Sequence, residues 1–307
     1  MSIIESALEK LRRAGVPPGE RGAPTPIRAG GAAGAPAAPV AAVVPRQAPA
    51  PLPAKSIAVD LAALRTAGYL PEEALDRCFL EHYRRIKRPL IERALAGAVD
   101  AHLILVSSAL PGDGKTFTSI NLALSMARER DVSVLLIDAD VARARITEVL
   151  GLREERGLMG ALTDETVDAE SLIVGTDVPN LEVLPAGRSV EDATERLASA
   201  RLSQVLARLG ARGARRLVVI DSAPLLAASE GRVLLSIPGQ VVLVVRAGVT
   251  PQRAVMDSVA LVDKNKLRGL VLNQAPLSSG DGKYGYSGYS GYSGYGSSRD
   301  GEPARAG

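Results

Sequence analysis

Residues 103–127 read LILVSSALPGDGKTFTSINLALSMA. A buried strand, His102–Ser107, runs into Ala109-Leu-Pro-Gly-Asp-Gly-Lys-Thr116, and a helical stretch, Lys115–Arg130, follows. This is a phosphate-binding loop, with Ala109 where the first glycine usually stands. Gly112 and Gly114 let backbone N–H groups turn toward phosphate oxygens with no side chain in the way. The helix that follows points its positive end at the same anion. In that motif Lys115 reaches the β- and γ-phosphates and the Thr116 hydroxyl ligates Mg²⁺. The cradle thus spans Pro111, Gly112, Asp113, Gly114, Lys115, Thr116 and Phe117. A chance glycine-rich turn would not need the strand before and the helix after.

Two further strands end in carboxylates. Leu135-Leu-Ile-Asp138-Ala-Asp140 sets two acids at i and i+2 at the carboxyl end of the run Val132–Asp138. Ligands of a parallel sheet bind at that end. An extended chain puts both acids on one side. Beside a triphosphate, such acids make sense with a cation or a hydroxyl proton between; away from one they are a solvated turn. Leu217-Val-Val-Ile-Asp221 is the Walker B pattern, an apolar strand whose Asp holds Mg²⁺ directly or through water.

Leu181–Leu184, Val241–Arg246 and Gly269–Asn273 are also β-branched or apolar runs. Helical stretches Val190–Leu209 and Pro251–Lys264 separate them, the second opened by Thr250 as cap with Pro251 at the first helical position. Alternation of continuous apolar strands with helices predicts an α/β fold. Its central sheet is mostly parallel, with helices on both faces.

The ends differ from this middle. Residues 2–13, SIIESALEKLRR, place Ile3, Ile4, Ala7, Leu8 and Leu11 at helical spacing behind a Ser2/Glu5 capping box. Residues 16–56 hold ten of the twenty prolines and few large apolar groups, the composition of a disordered tether. Five of the seven tyrosines fall between Tyr284 and Tyr295, in a Tyr-Ser-Gly repeat that cannot form a core. The expected organisation is an amphipathic helix at 1–15, a linker at 16–56, a P-loop domain at 57–278 and a flexible Tyr/Gly/Ser-rich tail at 279–307.

Composition excludes several classes. Hydrophobic residues make up 46% and charged residues 23% of 307, a globular balance. One cysteine and two histidines exclude a disulfide framework and a zinc cluster. No apolar run reaches the ~20 residues that cross a bilayer, and no signal core opens the chain. The net charge of +3 sits mostly in residues 1–56, where seven basic residues face three glutamates; the middle is close to neutral. That argues against a nucleic-acid partner.

With the three motifs in order, the chain resembles the bacterial tyrosine kinases (BY-kinases) of polysaccharide export over residues 57 to 297. Phe79-Leu-Glu-His-Tyr-Arg-Arg-Ile-Lys-Arg-Pro-Leu90, the opening SIIESALEKL, Asn180–Gly187 and Val245–Ala254 resemble the exosortase-associated tyrosine autokinases in particular. The resemblance implies ATP and Mg²⁺ as cofactors, with phosphoryl transfer onto C-terminal tyrosines of a neighbouring subunit. The acceptors would be Tyr284, Tyr286, Tyr289, Tyr292 and Tyr295. It implies Lys115 and Thr116 on the phosphates and metal, Asp140 and Asp221 on the metal, and Asp138 taking the phenolic proton, with the roles of Asp138 and Asp140 open to exchange. Asn273 falls at the adenine-contacting position and Arg143 at the Walker A′ arginine. Ala144 stands where proline often follows that arginine, so the turn there is expected to differ.

Glu81, Arg84 and Lys87 resemble the family's Glu-x-x-Arg-x-x-Arg oligomerisation helix, with Lys in the last place; Lys lacks the planar fork of Arg. The implied partners are further copies, arranged as a ring in the family's manner, and a membrane activator of the chain-length-determinant type. The implied location is cytoplasmic, peripheral at the inner face of the plasma membrane. The competing reading is a Min/Par-like positioning or assembly ATPase. That class carries a signature lysine near the start of the loop, where this chain has Leu110, and has no use for a tyrosine tail.

Overall fold

The computed structural model describes residues 53, 55–73, 76–211 and 215–275. The expected N-terminal helix, nearly all of the linker and the tyrosine tail lie outside the described residues. Leu103–Ser108, here β2, is buried at every position and lies inside an eight-stranded sheet. The other strands are β1 (Lys55–Ile57), β3 (Ser133–Asp138), β4 (Val174–Thr176), β5 (Leu181–Leu184), β6 (Arg216–Asp221), β7 (Gln240–Arg246) and β8 (Leu267–Asn273). Their order is β1-β4-β5-β3-β6-β2-β7-β8. Every neighbouring pair is parallel except β4 with β5. The expected mostly parallel α/β fold is what forms.

Helices cover both faces. One face carries α1 (Leu61–Thr66), α2 (Asp76–Leu95), α3 (Lys115–Ala127) and α4 (Arg145–Val149). There Tyr83, Leu90, Leu122, Met126 and Ile146 pack on Val134, Leu136 and Val219. The other carries α5 (Gly157–Thr163), α6 (Ala193–Leu197), α7 (Ala200–Ala211), α8 (Ser229–Val233) and α9 (Gln252–Leu261). There Leu158, Leu197, Leu206 and Val259 pack on Leu105, Leu135 and Ile220. Odd and even residues of one strand thus feed different cores, the period-two consequence of a sheet covered twice. In α3, Leu122 and Met126 are wholly buried. Each contributes roughly 1.5–3 kcal/mol of transfer energy, which anchors the helix that carries the phosphate loop.

Three details depart from the sequence expectation. The stretch 190–209 is two helices, broken at Ala198–Ser199, where the Ser199 hydroxyl donates to the Arg196 carbonyl instead of continuing the helix. Pro251 is the N-cap of α9 rather than its first residue. The Thr250 hydroxyl does not cap α9: it accepts from the Arg246 N–H and donates to Asp113 Oδ1 at 2.7 Å.

Candidate functional site

Strand β2 delivers the chain to the loop, where Gly112 and Gly114 take φ of 86° and 98°. A Cβ at Gly114 would run into the Asn273 side-chain amide. That amide donates to the Asp113 carbonyl at 3.0 Å. The end of β8 therefore holds the loop from outside. The Asp113 side chain is buried and braces the loop: Oδ2 accepts from the Leu110 N–H at 3.0 Å and Oδ1 from Thr250. Asp113 was expected among the nucleotide contacts; its carboxylate faces the protein and only its backbone remains for a ligand. The N-cap Gly114 has no side-chain cap, so the first N–H groups of α3 keep their donor capacity for an anion.

The carboxylates converge on the first turn of α3. Lys115 Nζ donates to Asp140 Oδ2 at 2.6 Å, with both side chains buried. The Thr116 hydroxyl donates to Asp221 Oδ2 at 2.8 Å, and Ser119 Oγ lies 2.9 Å from Asp221 Oδ1. Asp138 Oδ2 accepts from both the N–H and the hydroxyl of Thr147, at 2.8 Å each. The Thr147 oxygen accepts in turn from the Ala186 N–H. Asp138 Oδ1 is buried and has no partner among the described residues.

These contacts set the charges. Burial, helped by the Asp221 charge, pushes Asp138 up to about 7, against the two Thr147 hydrogen bonds. Burial likewise raises Asp221, against Lys115 and the Thr116 and Ser119 hydroxyls. Burial disfavours the Lys115 ammonium, yet Asp221, Asp140 and Asp138 outweigh it and hold its pKa above the ordinary value.

A cleft of about 400 Å³ opens over the loop, lined by Lys115, Thr116, Arg143, Arg145, Tyr69 and Phe79 among others. Phe117 lines the cleft and meets Phe79 edge-on, with ring centroids 5.9 Å apart. Arg143 reaches the cleft because the turn after Asp140 closes tightly, with the Ala144 N–H on the Asp140 carbonyl at 2.6 Å. Ala144 takes φ 41°, which a proline cannot adopt, so the turn differs from a proline-bearing one as expected.

The residues fit a Mg²⁺–nucleotide. The positive-φ glycines leave room for phosphates, two hydroxyls already sit on Asp221, and a buried carboxylate oxygen is orphaned. Among the described residues no group of three His, Cys, Asp or Glu forms a cage of its own. Mg²⁺ held through one or two carboxylates plus phosphate oxygens needs none.

Lys115, Thr116, Asp138, Asp140 and Asp221 are thus brought together, and Arg143 and Asn273 stand at the cleft with them. The expected oligomer helix divides. Arg84 and Glu81 are exposed and paired at 2.9 Å. Lys87 is 4% exposed and turns inward, donating to the Ser125 carbonyl and pairing with Glu129 at 2.7 Å. Residues six apart lie about 120° around a helix, so the exposed face at 81 cannot include 87. The five tyrosines lie outside the described residues. Sequence reading missed Ser119, Thr147 and Thr250. Ser119 has the helical i+3 spacing from Thr116 as a signal, whereas the other two have none.

The fold and site define a P-loop NTPase, and the AAA domain family matches residues 101–262. The tyrosine-protein kinase YwqD of Bacillus subtilis is 31% identical over 210 residues, 67% of this chain and 85% of that protein. The succinoglycan biosynthesis transport protein ExoP of Rhizobium meliloti is 30% identical over 212 residues, with this chain spanning only 26% of its length. The kinase domain of the Escherichia coli tyrosine kinase ETK superposes with a TM-score of 0.58 at 25% identity, over 68% of this chain and 83% of that one. The chain belongs to the AAA domain family and, within it, to the bacterial tyrosine-protein kinases; it is a protein-tyrosine kinase.

Proposed function

We propose that the chain transfers the γ-phosphate of ATP to its own C-terminal tyrosines, Tyr284, Tyr286, Tyr289, Tyr292 and Tyr295, between subunits, and so regulates exopolysaccharide polymerisation or export. The observation that carries this reading is the orphaned Asp138 Oδ1 beside the Lys115–Asp140 pair at the head of the phosphate loop. The loop N–H groups and Lys115 would bind the phosphates, and Arg143 and Asn273 would border the nucleotide. Thr116, Asp140 and Asp221 would hold Mg²⁺. Bound there, Mg²⁺–ATP supplies the phosphoryl group, with charge on its β- and γ-oxygens neutralised.

Asp140, beside Lys115, would stay with the metal and the phosphates, and Asp138 would accept the proton. A phenol with a pKa near ~10 gives up its proton as its oxygen bonds to phosphorus. The proton passes to Asp138 Oδ1, and ADP leaves with the electrons of the broken bond. Thr147 fixes the carboxylate at Oδ2, which leaves Oδ1 to accept the proton. The remaining work is positioning and charge neutralisation.

Exposed Glu81 and Arg84 would make the subunit contact, and a membrane activator would complete the assembly at the inner face of the plasma membrane. No helix among the described residues is long and apolar enough to cross a membrane. ExoP, a biosynthesis transport protein by name, supports the link to polysaccharide export.

A mixing experiment tests the transfer between subunits. Full-length Lys115→Ala chain, as acceptor, is incubated with Mg-ATP and a chain whose five tail tyrosines are phenylalanine. Phosphate on the Lys115→Ala tail supports the proposal. A tail that stays unmodified, while wild type alone modifies its own, would replace it with transfer within one subunit.

A further inference from the structure

A second cavity, of about 570 Å³, runs along the outer side of α3 between α1, α2 and the loop after β4. It is larger than the nucleotide cleft, and the proposed reaction does not use it. One flank is aromatic and aliphatic, formed by Leu70, Phe79, Leu80 and Tyr83. At its far end stand Arg128 and Arg130, both exposed and both on its lining. Among the described residues neither guanidinium group has an ion-pair or hydrogen-bond partner. The acids that alternate with them are engaged elsewhere: Glu129 with Lys87 at 2.7 Å, Asp131 with Arg215 at 3.5 Å. Arg84 and Arg88 are close enough to depress the Glu129 carboxyl further, so the local field is positive.

An apolar trough that ends in two guanidinium groups is matched by an aromatic ring that carries an anion. The ring takes the apolar flank, and a phosphate dianion takes the planar forks of arginine. We infer that this groove binds the phosphorylated tyrosine segment Tyr284–Tyr295 of a copy of this chain.

The inference rests on the tail-phosphorylation reading given above. Unmodified, the repeat from Tyr284 to Tyr295 carries no charge and offers the arginines nothing. Each phosphate adds about −1.5 to −2 charges. Tyrosines three residues apart present a fresh ring whenever one leaves, which raises the effective concentration at one groove. Tyr284 is the ninth residue beyond Ala275, enough for ~30 Å of extended chain toward a neighbour's groove. Docking there would withdraw the product tyrosines from the catalytic cleft. Phe79 lines both cavities, so a ring in the groove touches the wall of the nucleotide site.

Fluorescence anisotropy tests this on the full-length chain, treated with phosphatase and kept in Mg-ADP. The probe is a labelled synthetic peptide of residues 282–297, with all five tyrosines phosphorylated or none. The phosphorylated peptide is expected to bind at least tenfold more tightly than the plain one. Arg128→Glu with Arg130→Glu is expected to remove at least tenfold of that affinity, and the paired Lys variant several-fold. Leu80→Glu, on the apolar flank, should weaken it independently of the arginines. Equal binding of both peptides overturns the proposal. So does phosphopeptide binding that ignores the arginine variants, or a double variant that loses only phosphatidylserine vesicles. The peptide is phosphorylated synthetically, so failure here leaves tail phosphorylation itself untouched; that is read by mass spectrometry on the chain.

Discussion

Asp138 and Asp221 stand on the same rung of the adjacent parallel strands β3 and β6, and both side chains face α3. Paired residues of parallel strands project to the same side, so two carboxylates share one buried site under the phosphate loop. They are treated differently. Asp221 receives hydroxyls at both oxygens, whereas Asp138 is gripped at one oxygen by Thr147 and left bare at the other. In the proposed reaction Asp221 would orient a hydroxyl and a cation, and Asp138 would take the proton.

The bare carboxylate gives a pH signature in the nucleotide-free protein. Asp138 titrates near 7 when folded and near ~3.9 when unfolded. Between those values the native state holds more protons than the unfolded state. Stability therefore falls as pH rises through that window, and the penalty is complete above about 7. Asp221 is raised by burial and adds with the same sign. In EDTA the thermal midpoint should drop from pH 5 to pH 8. Asp138→Asn should flatten that drop while lowering phosphoryl transfer roughly 10²–10⁴-fold. An unchanged pH slope in the variant would refute the assignment.

Gly114 and Gly112 should respond unequally to alanine. Both carry positive φ, a strain of roughly 1–3 kcal/mol for a side chain. Only at Gly114 does the new Cβ meet Asn273. Gly114→Ala should lower the thermal midpoint more than Gly112→Ala and weaken nucleotide binding at least tenfold. Adding Asn273→Ala should recover part of the first loss, a non-additivity that a double-mutant cycle reads directly.

Thr250→Val removes the hydroxyl that Asp113 Oδ1 accepts and leaves a buried carboxylate oxygen unpaired. The cost should be about 1–3 kcal/mol. Because Asp113 shapes the loop and its carboxylate faces away from the ligand, KM for ATP should rise more than kcat falls, as steady-state kinetics would show.

Lys87 and Arg84, three residues apart, should have separable roles. Lys87→Met strips a buried cation from Glu129 and the Ser125 carbonyl, and should lower the thermal midpoint with the sedimenting mass unchanged. Arg84→Glu reverses an exposed charge, and should reduce the sedimenting mass with the midpoint nearly unchanged.

The central sheet, the phosphate loop and the two acidic strand ends were legible because they are periodic or local. Buried β-branched runs declare β2, β3, β6 and β7, and a strand ending in Asp names its own position. β1 and β4, three residues each, are too short for any period to show. Thr147 and Thr250 could not be found, since each meets its carboxylate across nine or 137 residues of chain through packing alone. Lys87 matches the oligomerisation pattern in sequence, but six residues turn a helix about 120° from Glu81 and carry it inward.

The central claim is that this site phosphorylates the tail tyrosines, and mass spectrometry of the full-length chain after incubation with Mg-ATP tests it most directly. Wild type should carry phosphate on Tyr284, Tyr286, Tyr289, Tyr292 or Tyr295, and Lys115→Ala on none of them. A wild-type tail that remains unmodified while ATP is hydrolysed, with and without the activator's cytoplasmic segment, would contradict the account and leave a nucleotide-switched ATPase in its place.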